Sequence, residues 1–267
     1  MTVSRLCHIV RVFTRNGVGG NHLGVVLDSS GLRTVDMQKI ASGLGFSETV
    51  FLEGGDALGV RIFTPGREMP FAGHPLVGMT WVLHDSGLLT TDRLVCGIGT
   101  VRVGYGDGSA WILAPRDRPV RTVEGADQIS SMLGLPQPVT SAWVDMPIPY
   151  LLLEMPSPEA VAAASFSRET LEQLAVGELY LFAELETGRM KARFFAPEAG
   201  VFEDPATGSA AVALASMLTE AGQGSGRIEI EQGDELGHPS TIQLDWSDRG
   251  VRIGGTVVED EIRSIDF

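Results

Sequence analysis

The sequence contains two copies of one short segment, half a chain apart. Residues 61–65 are Arg-Ile-Phe-Thr-Pro, and residues 193–197, which lie 132 positions later, are Arg-Phe-Phe-Ala-Pro. Each copy predicts a strand that ends at a proline, followed by a polar turn and a long run of small and apolar residues. A repeat on this scale predicts two similar halves, and we expect the turns after the two copies to face one shared cleft.

The elements around the two copies are predicted in the same order. In the first half we expect a helix capped by Thr34, strands at 48–53 and 60–65, a helix at 74–86, and strands at 93–98, 100–105 and 109–113. In the second half we expect a helix from Ser167 to about 174, strands at 179–185 and 191–197, a helix at 207–220, and strands at 227–231, 241–246 and 251–258. The predicted domains are residues 1–117, joined by a last strand at about 259–267, and residues 118–258.

The two helices that follow the repeated segment are small or apolar on nearly every side. Such a composition is typical of a helix enclosed by protein, so we expect a curved sheet around each of them. The first N–H groups of a helix have no partner within the helix, and the helix dipole adds partial positive charge there. We therefore expect the helix starts, at Gly73-His74 and Thr207-Gly208-Ser209, to hold an anion such as a substrate carboxylate.

Composition and charge exclude several classes of protein. The formal net charge of −14 argues against nucleic acid or an anionic membrane as a partner, because both attract basic surfaces. The apolar runs are shorter than the roughly 20 residues of a membrane span, and the first residues lack the pattern of a signal peptide, so we expect a soluble cytoplasmic protein. Cys7 and Cys96 lie in apolar, strand-like surroundings and are predicted to be buried thiols without a disulfide.

Four segments, in this order along the chain, resemble the phenazine-biosynthesis PhzF family. They are Ser47-Glu48-Thr49, residues 61–75 with their end Phe71-Ala72-Gly73-His74-Pro75, residues 203–210 (Glu-Asp-Pro-Ala-Thr-Gly-Ser-Ala), and Gln232-Gly233 leading to Pro239-Ser240. The resemblance implies an α+β, diaminopimelate-epimerase-like fold, with two pseudo-symmetric domains that are each a curved sheet or barrel around a central helix. It also implies isomerase chemistry without a metal or organic cofactor, and a homodimer.

The resemblance assigns proton transfer to Glu48. The matching glutamate of the family moves a proton between two carbons of a cyclic, unsaturated acid. In this sequence Glu48 lies between Phe46 and Val50, where poor hydration would help it both to give and to take a proton near neutrality. Its counterpart at the 132-residue offset is Tyr180, which breaks the repeat at this point.

The same resemblance implies the remaining site residues. His74 and Asp204 assist the proton transfer, and Gly73, Gly208 and Ser209 supply backbone and hydroxyl donors to the substrate carboxylate. The implied substrate-binding set consists of Asn21, Ser47, Gly73, Thr207, Gly208 and Ser209. Helix dipoles disfavour a charged imidazole at a helix start, so the ring of His74 is predicted to be neutral.

Six of these residues also have a purely structural alternative. These are a solvated strand edge for Glu48, a helix start for His74, turns for Asn21 and Asp204, and helix caps for Thr207 and Ser209. Diaminopimelate epimerase and related racemases use one cysteine from each half as acid and base. Neither Cys7 nor Cys96 lies in the matching turns, which argues against a two-thiol mechanism.

The substrate is left open between three possibilities. They are trans-2,3-dihydro-3-hydroxyanthranilate of phenazine biosynthesis, an unsaturated pyrroline carboxylate of antibiotic biosynthesis, and a small acid bound by a catalytically silent protein. His22 and His238 stand where the family has Pro and often Arg, so they are candidates for contact with a different acid.

Two other classes of site are disfavoured by the sequence. The glycine-rich residues 17–24 precede a predicted strand, whereas a dinucleotide-binding loop is followed by a helix. The five histidines show no pair at helical spacing with a nearby glutamate, which a metal hydrolase of the common type would need.

Overall fold

The structure is a computed structural model that describes residues 4–54, 58–116, 118–197 and 201–266, with the backbone alone at Val201. The chain divides into two compact units, Met1–Ala114 with Gly254–Phe267 (unit 1) and Pro115–Ile253 (unit 2). The predicted domain boundary at residue 117 and the end of the predicted last strand, Phe267, lie outside the described residues.

Both units contain strands and helices, and each begins and ends with strands. The helices are α1 (Thr34–Leu44), α2 (Gly73–Asp85), α3 (Ala126–Met132), α4 (Pro158–Ala163), α5 (Arg168–Gln173) and α6 (Gly208–Glu220). The strands are β1 (Ser4–Val12), β2 (Asn21–Val26), β3 (Glu48–Glu53), β4 (Gly59–Phe63), β5 (Glu68–Met69), β6 (Arg93–Cys96), β7 (Gly99–Gly106), β8 (Ser109–Ala114), β9 (Val120–Arg121), β10 (Thr140–Val144), β11 (Tyr150–Glu154), β12 (Glu178–Glu186), β13 (Arg189–Ala196), β14 (Val201–Asp204), β15 (Gly226–Gln232), β16 (Ser240–Ser247), β17 (Gly250–Gly255) and β18 (Val257–Asp266).

Unit 1 is a mixed sheet around a buried helix. Strand β1 pairs antiparallel with both β18 and β2, β2 runs parallel to β3, and β3 pairs antiparallel with β4. Helix α2 packs against β1, β2, β3, β7 and β8. Gly78 of this helix lies so close to the sheet that an added Cβ would be 2.4 Å from Leu23. The prediction of an enclosed helix is therefore confirmed for α2.

Unit 2 has a similar arrangement. Strand β11 pairs antiparallel with β10 and parallel with β12, and β12 pairs antiparallel with β13. Strand β13 continues the sheet to β14 and, in parallel, to β15. Helix α6 packs against β9, β10, β11 and β16, and its residues from Ala210 to Met217 are all buried. The second helix predicted to be enclosed is thus enclosed as well.

The repeated segment places an arginine–glutamate pair in each unit. Arg61 donates from Nε and Nη2 to the two carboxylate oxygens of Glu68, at 2.7 and 2.6 Å. Arg193 donates in the same manner to Glu203, at 2.7 and 2.9 Å. Each guanidinium also lies over a phenylalanine ring two residues further along its strand, and these contacts show that the repeat is one of structure as well as of sequence.

Strand register corrects the predicted counterpart of Glu48. Phe63 and Phe195 hold the same place in the two repeated segments, and they pair with Thr49 and Leu179 respectively. The residue before Thr49 is Glu48, and the residue before Leu179 is Glu178. The structural counterpart of Glu48 is therefore Glu178, and the prediction of Tyr180 was wrong. The hairpin between β12 and β13 is longer than that between β3 and β4, so the 132-residue offset that relates β4 to β13 does not relate β3 to β12.

Most predicted elements are present, with small differences at their ends. Helix α1 begins one residue earlier than predicted, because the backbone N–H of Arg33 donates to Oδ2 of Asp36 and makes Arg33 the N-cap. The strand predicted at 251–258 is divided at Thr256 into β17 and β18. Ser167 caps α5 as predicted, through its side-chain contact with the N–H of Thr170. Among the described residues, no helix is both long and apolar enough to span a membrane.

Candidate active site

Glu48 and His74 meet inside unit 1. Glu48 is the first residue of β3 and His74 is the second residue of α2. Oε2 of the glutamate lies 3.3 Å from Nε2 of the histidine, and the two side chains are only 17 % and 6 % exposed. The carboxyl group is therefore largely removed from water and in contact with an imidazole, unlike a solvated strand-edge residue.

The imidazole of His74 is neutral. Burial lowers the pKa of His74 from 6.5 to about 3, and a hydrogen bond to the backbone of His22 opposes this shift. Nε2 makes no aligned hydrogen bond within the described residues, so the contact with His22 belongs to Nδ1. A hydrogen bond raises the pKa of an imidazole when the ring donates it, so Nδ1 carries the hydrogen and donates to the carbonyl of His22. Nε2 of the neutral ring then carries a lone pair, which faces Glu48. Burial thus favours the neutral state that the sequence predicted for this ring.

Three further residues named by the sequence lie next to this pair. Oγ of Ser47 donates to Oδ1 of Asn21 at 3.3 Å, and Asn21 is itself buried. The ring of His22 stacks on Phe46 with ring centroids 5.5 Å apart. The backbone carbonyl of His22 thus orients His74, while its ring occupies the neighbouring surface.

A second polar cluster surrounds the start of α6 in unit 2. The hydroxyl of Thr207 donates to Oδ2 of Asp204 at 2.6 Å. The side-chain amide of Gln232 donates to the backbone carbonyl of Asp204 at 2.7 Å and to the Thr207 hydroxyl at 3.0 Å. Gln232 has no exposed surface. These bonds tie Asp204, the last residue of β14, to the N-cap residue of α6.

Neither enclosed helix is capped by a side chain at its start. The N-cap residues are Ala72 for α2 and Thr207 for α6, and neither makes a side-chain cap hydrogen bond. Thr207 has a hydroxyl that would suit a cap, but this hydroxyl is bound to Asp204 instead. The cap predicted as an alternative role for Thr207 is therefore absent, and the first N–H groups of α6 remain suited to an anion.

The two cysteines and His238 were also singled out from the sequence. Cys7 and Cys96 are free and buried, as predicted, and both lie in unit 1. Burial raises the pKa of Cys7 to about 11, which keeps this thiol protonated. His238 lies in a tight loop, where its N–H donates to Gly233 and its carbonyl accepts from Ser240. Across residues 4–54, 58–116, 118–197 and 201–266, no three His, Cys, Asp or Glu side chains are grouped to hold a metal ion.

The sequence assigned no site role to Gln232, to Tyr150, or to Glu178, which pairs in register with Tyr150. Gln232 was noted only as part of a motif, although it holds both Asp204 and Thr207. Tyr150 was not noted, and its hydroxyl lies 2.9 Å from Oγ of Ser209. Glu178 was hidden by the constant offset. Pairing the strands by register, with the repeated phenylalanines as the reference, would have found Glu178.

Thr207→Val is expected to lower the free energy of unfolding by about 1–3 kcal/mol, because it leaves a buried amide of Gln232 with one partner fewer and removes the donor to Asp204. Urea unfolding measures this change. The matched control is Thr219→Val, later in the same helix, where a half-buried hydroxyl donates to the carbonyl of Ala215. We expect an effect within about 0.5 kcal/mol there. Equal effects at both positions would contradict a special role for the Thr207 hydroxyl.

Comparison with known proteins identifies the family. A family model described as "Phenazine biosynthesis-like protein" (PhzC-PhzF) matches residues 10–261. The chain belongs to the PhzF family. An uncharacterised isomerase of Mesorhizobium japonicum is 33 % identical, over 93 % of this chain and 94 % of the relative. The trans-2,3-dihydro-3-hydroxyanthranilate isomerase of Pseudomonas fluorescens is also 33 % identical, over 94 % of this chain and 98 % of the relative.

Solved structures agree on the fold of this PhzF-family chain. A PhzF-family protein of Enterococcus faecalis superimposes with a TM-score of 0.84 at 21 % identity, over 98 % of this chain and 99 % of that one. A hydroxyproline epimerase of Agrobacterium vitis gives a TM-score of 0.68 at 11 % identity, over 99 % and 93 % of the two chains. The predicted α+β, diaminopimelate-epimerase-like fold is confirmed, and so is the prediction of an isomerase.

Proposed function

We propose that this PhzF-family isomerase relocates a double bond in a small, cyclic, unsaturated carboxylic acid by moving one proton between two of its carbons. The leading substrate candidate is trans-2,3-dihydro-3-hydroxyanthranilate, since a relative named for its isomerisation is 33 % identical over nearly the full length of both chains. A proton shift of this kind changes neither the oxidation state nor the composition of the substrate.

The observation that carries the proposal is the contact between Glu48 and His74. A carboxylate can take a proton from an activated carbon and return it to another carbon if it is held close to both and shielded from water. Glu48 is shielded in this way, and its Oε2 atom faces the lone pair of a neutral imidazole. Nε2 of His74 can accept a hydrogen bond from the carboxyl group while Glu48 carries the proton.

The proposed reaction has two proton transfers through one residue. The ionised Glu48 first removes a proton from a carbon of the ring, and the electrons of that C–H bond become part of a delocalised enolate or dienolate. The protonated Glu48, steadied by His74, then returns a proton to a different carbon. The double bond is thereby shifted, and Glu48 ends in the ionised state in which it began.

The substrate carboxylate is proposed to bind at a helix start. The backbone N–H groups of Gly208 and Ser209 open α6, and Gly73 offers the equivalent group in α2. These groups provide local positive potential in a chain whose net charge is −14. Asp204, held by Thr207 and Gln232, is proposed to bind a polar group of the substrate and to assist proton movement.

Incubation with trans-2,3-dihydro-3-hydroxyanthranilate in D2O is expected to give an isomer with a shifted double bond. At most one deuterium should enter per turnover, at the carbon that gains the proton. Proton NMR follows both the bond shift and the label. Turnover of a pyrroline carboxylate alone would reassign the substrate, and no bond shift across a panel of cyclic unsaturated acids would contradict the proposal.

A further inference from the structure

The glutamate of unit 2 that corresponds to Glu48 lies in a hydrogen-bonded chain of its own. Glu178 pairs with Tyr150 on the adjacent parallel strand, just as Glu48 pairs with Leu23 in unit 1. Neighbours in register on parallel strands point to the same face of the sheet, which places the phenol beside the carboxyl group. Both Tyr150 and Glu178 are buried.

The chain continues from the tyrosine to the first turn of α6. The hydroxyl of Tyr150 lies 2.9 Å from Oγ of Ser209 and is also hydrogen-bonded to Glu178. Ser209 is the second residue of α6, as His74 is of α2. In unit 1, Glu48 contacts His74 of the helix directly. In unit 2, Tyr150 stands at the position of Leu23, and its hydroxyl connects Glu178 to Ser209 of the helix.

The direction of the hydrogen bonds follows from the single proton on the phenol. Burial raises the pKa of Tyr150 well above its ordinary value, and the charge of Glu178 adds to the effect, so the phenol keeps its proton. The hydrogen bond with Glu178 also raises this pKa, which is the effect of a phenol that donates its hydrogen to the carboxyl group. The phenol oxygen then accepts the hydrogen of Ser209, whose own oxygen is left with its lone pairs available to a ligand.

We propose that Tyr150 and Glu178 are positioning residues that turn the Ser209 hydroxyl into a hydrogen-bond acceptor for an amine or hydroxyl group next to the substrate carboxylate. This inference rests on the proposed function and narrows its substrate class to acids that carry such a donor. The negative charges of Glu178 and Asp204 near the phenol favour a donor over a second acceptor at this place. The family resemblance implied that the Ser209 hydroxyl donates to the substrate carboxylate, whereas here it accepts a hydrogen bond from the substrate. The backbone N–H of Ser209 still donates to the carboxylate.

Anthranilate and benzoate test the proposal, because these rigid carboxylates differ by one amine. The wild-type protein is expected to bind anthranilate about 2- to 12-fold more tightly than benzoate, the effect of one hydrogen bond. In Tyr150→Phe this ratio should fall towards one, because the serine hydrogen is no longer held by the phenol. With a turned-over substrate, the same variant should raise KM more than it lowers kcat. Isothermal titration calorimetry measures the ratio.

Two further variants complete the experiment. Tyr180→Phe removes a different buried phenol, on β12, whose hydroxyl makes no hydrogen bond within the described residues. This variant should keep the wild-type ratio of anthranilate to benzoate affinity. Ser209→Ala should weaken anthranilate binding and leave benzoate binding nearly unchanged, and it gives an answer even if Tyr150→Phe does not fold.

Three outcomes would overturn the proposal. They are a wild-type protein without preference for anthranilate, a Tyr150→Phe variant with the wild-type ratio, and a Ser209→Ala variant that loses affinity for both ligands equally. The binding ratio requires no turnover, so a failure of the isomerase assay would leave this test intact, and the two proposals can fail separately.

Discussion

Glu48→Gln is expected to slow double-bond isomerisation by about 10²–10⁴-fold, the usual contribution of a general acid–base group. Glutamine has nearly the same shape as glutamate, but its amide neither takes a proton from carbon nor returns one. The loss should appear in kcat, and the ligand affinity should change little because the carboxylate-binding groups are untouched. The rate of bond shift and the uptake of solvent deuterium, both followed by NMR, measure the effect.

The matched control is Glu53→Gln, at the opposite end of the same strand. The Glu53 side chain is half exposed and lies 3.9 Å from Arg61, far along β3 from His74. Its rate should remain within about twofold of wild type, and both variants should unfold at a similar urea concentration. A Glu48→Gln variant that isomerises at the wild-type rate would remove Glu48 from the proposed role.

Arg193→Met is expected to lower the free energy of unfolding by about 3–5 kcal/mol, because it leaves a buried carboxylate without its partner. The Arg193 and Glu203 side chains are only 8 % and 10 % exposed. Nη1 of Arg193 also donates to the backbone carbonyls of Val161, Ala162 and Ala164 around the end of α4. Methionine fills a similar volume but donates to none of these oxygens. Urea unfolding measures the loss.

The repeat itself supplies the control for this prediction. Arg61→Met removes the corresponding arginine of unit 1, where the side chains of Arg61 and Glu68 are 22 % and 40 % exposed. Water can hydrate the remaining glutamate there, so the expected loss is about 1 kcal/mol or less. A similar loss in both variants would show that burial does not set the cost of breaking the pair.

Much of the secondary structure could be predicted because its signals are local. The apolar composition of residues 74–86 and 207–220 predicted two enclosed helices. The Asp107-Gly108 pair between the predicted strands at 100–105 and 109–113 is typical of a tight hairpin turn, and both residues have positive φ angles between β7 and β8. The region from β9 to α4 was not predicted. Its elements are short, with two residues in β9, seven in α3 and six in α4, so they offer too few positions for a periodic pattern.

The candidate site was predictable in its residue types but not in its contacts. Motifs named Glu48, His74, Asp204 and Ser209, yet the register of β12 with β13 was needed to find Glu178. The structure was also needed to show that the Thr207 hydroxyl donates to Asp204 and that Gln232 holds both residues. A hydrogen bond depends on distance and angle in space, and sequence separation carries neither.

By itself, the sequence determined the two-fold repetition of the chain, the enclosed character of two helices and the family to which the chain belongs. These properties follow from local composition and from motifs that lie close together along the chain. Only the tertiary structure decided that burial is the main cause that keeps His74 neutral, that its Nε2 atom faces Glu48, and that a phenol joins Glu178 to Ser209. The physical reason is that protonation and hydrogen-bond direction depend on burial and on neighbours, which folding alone brings together.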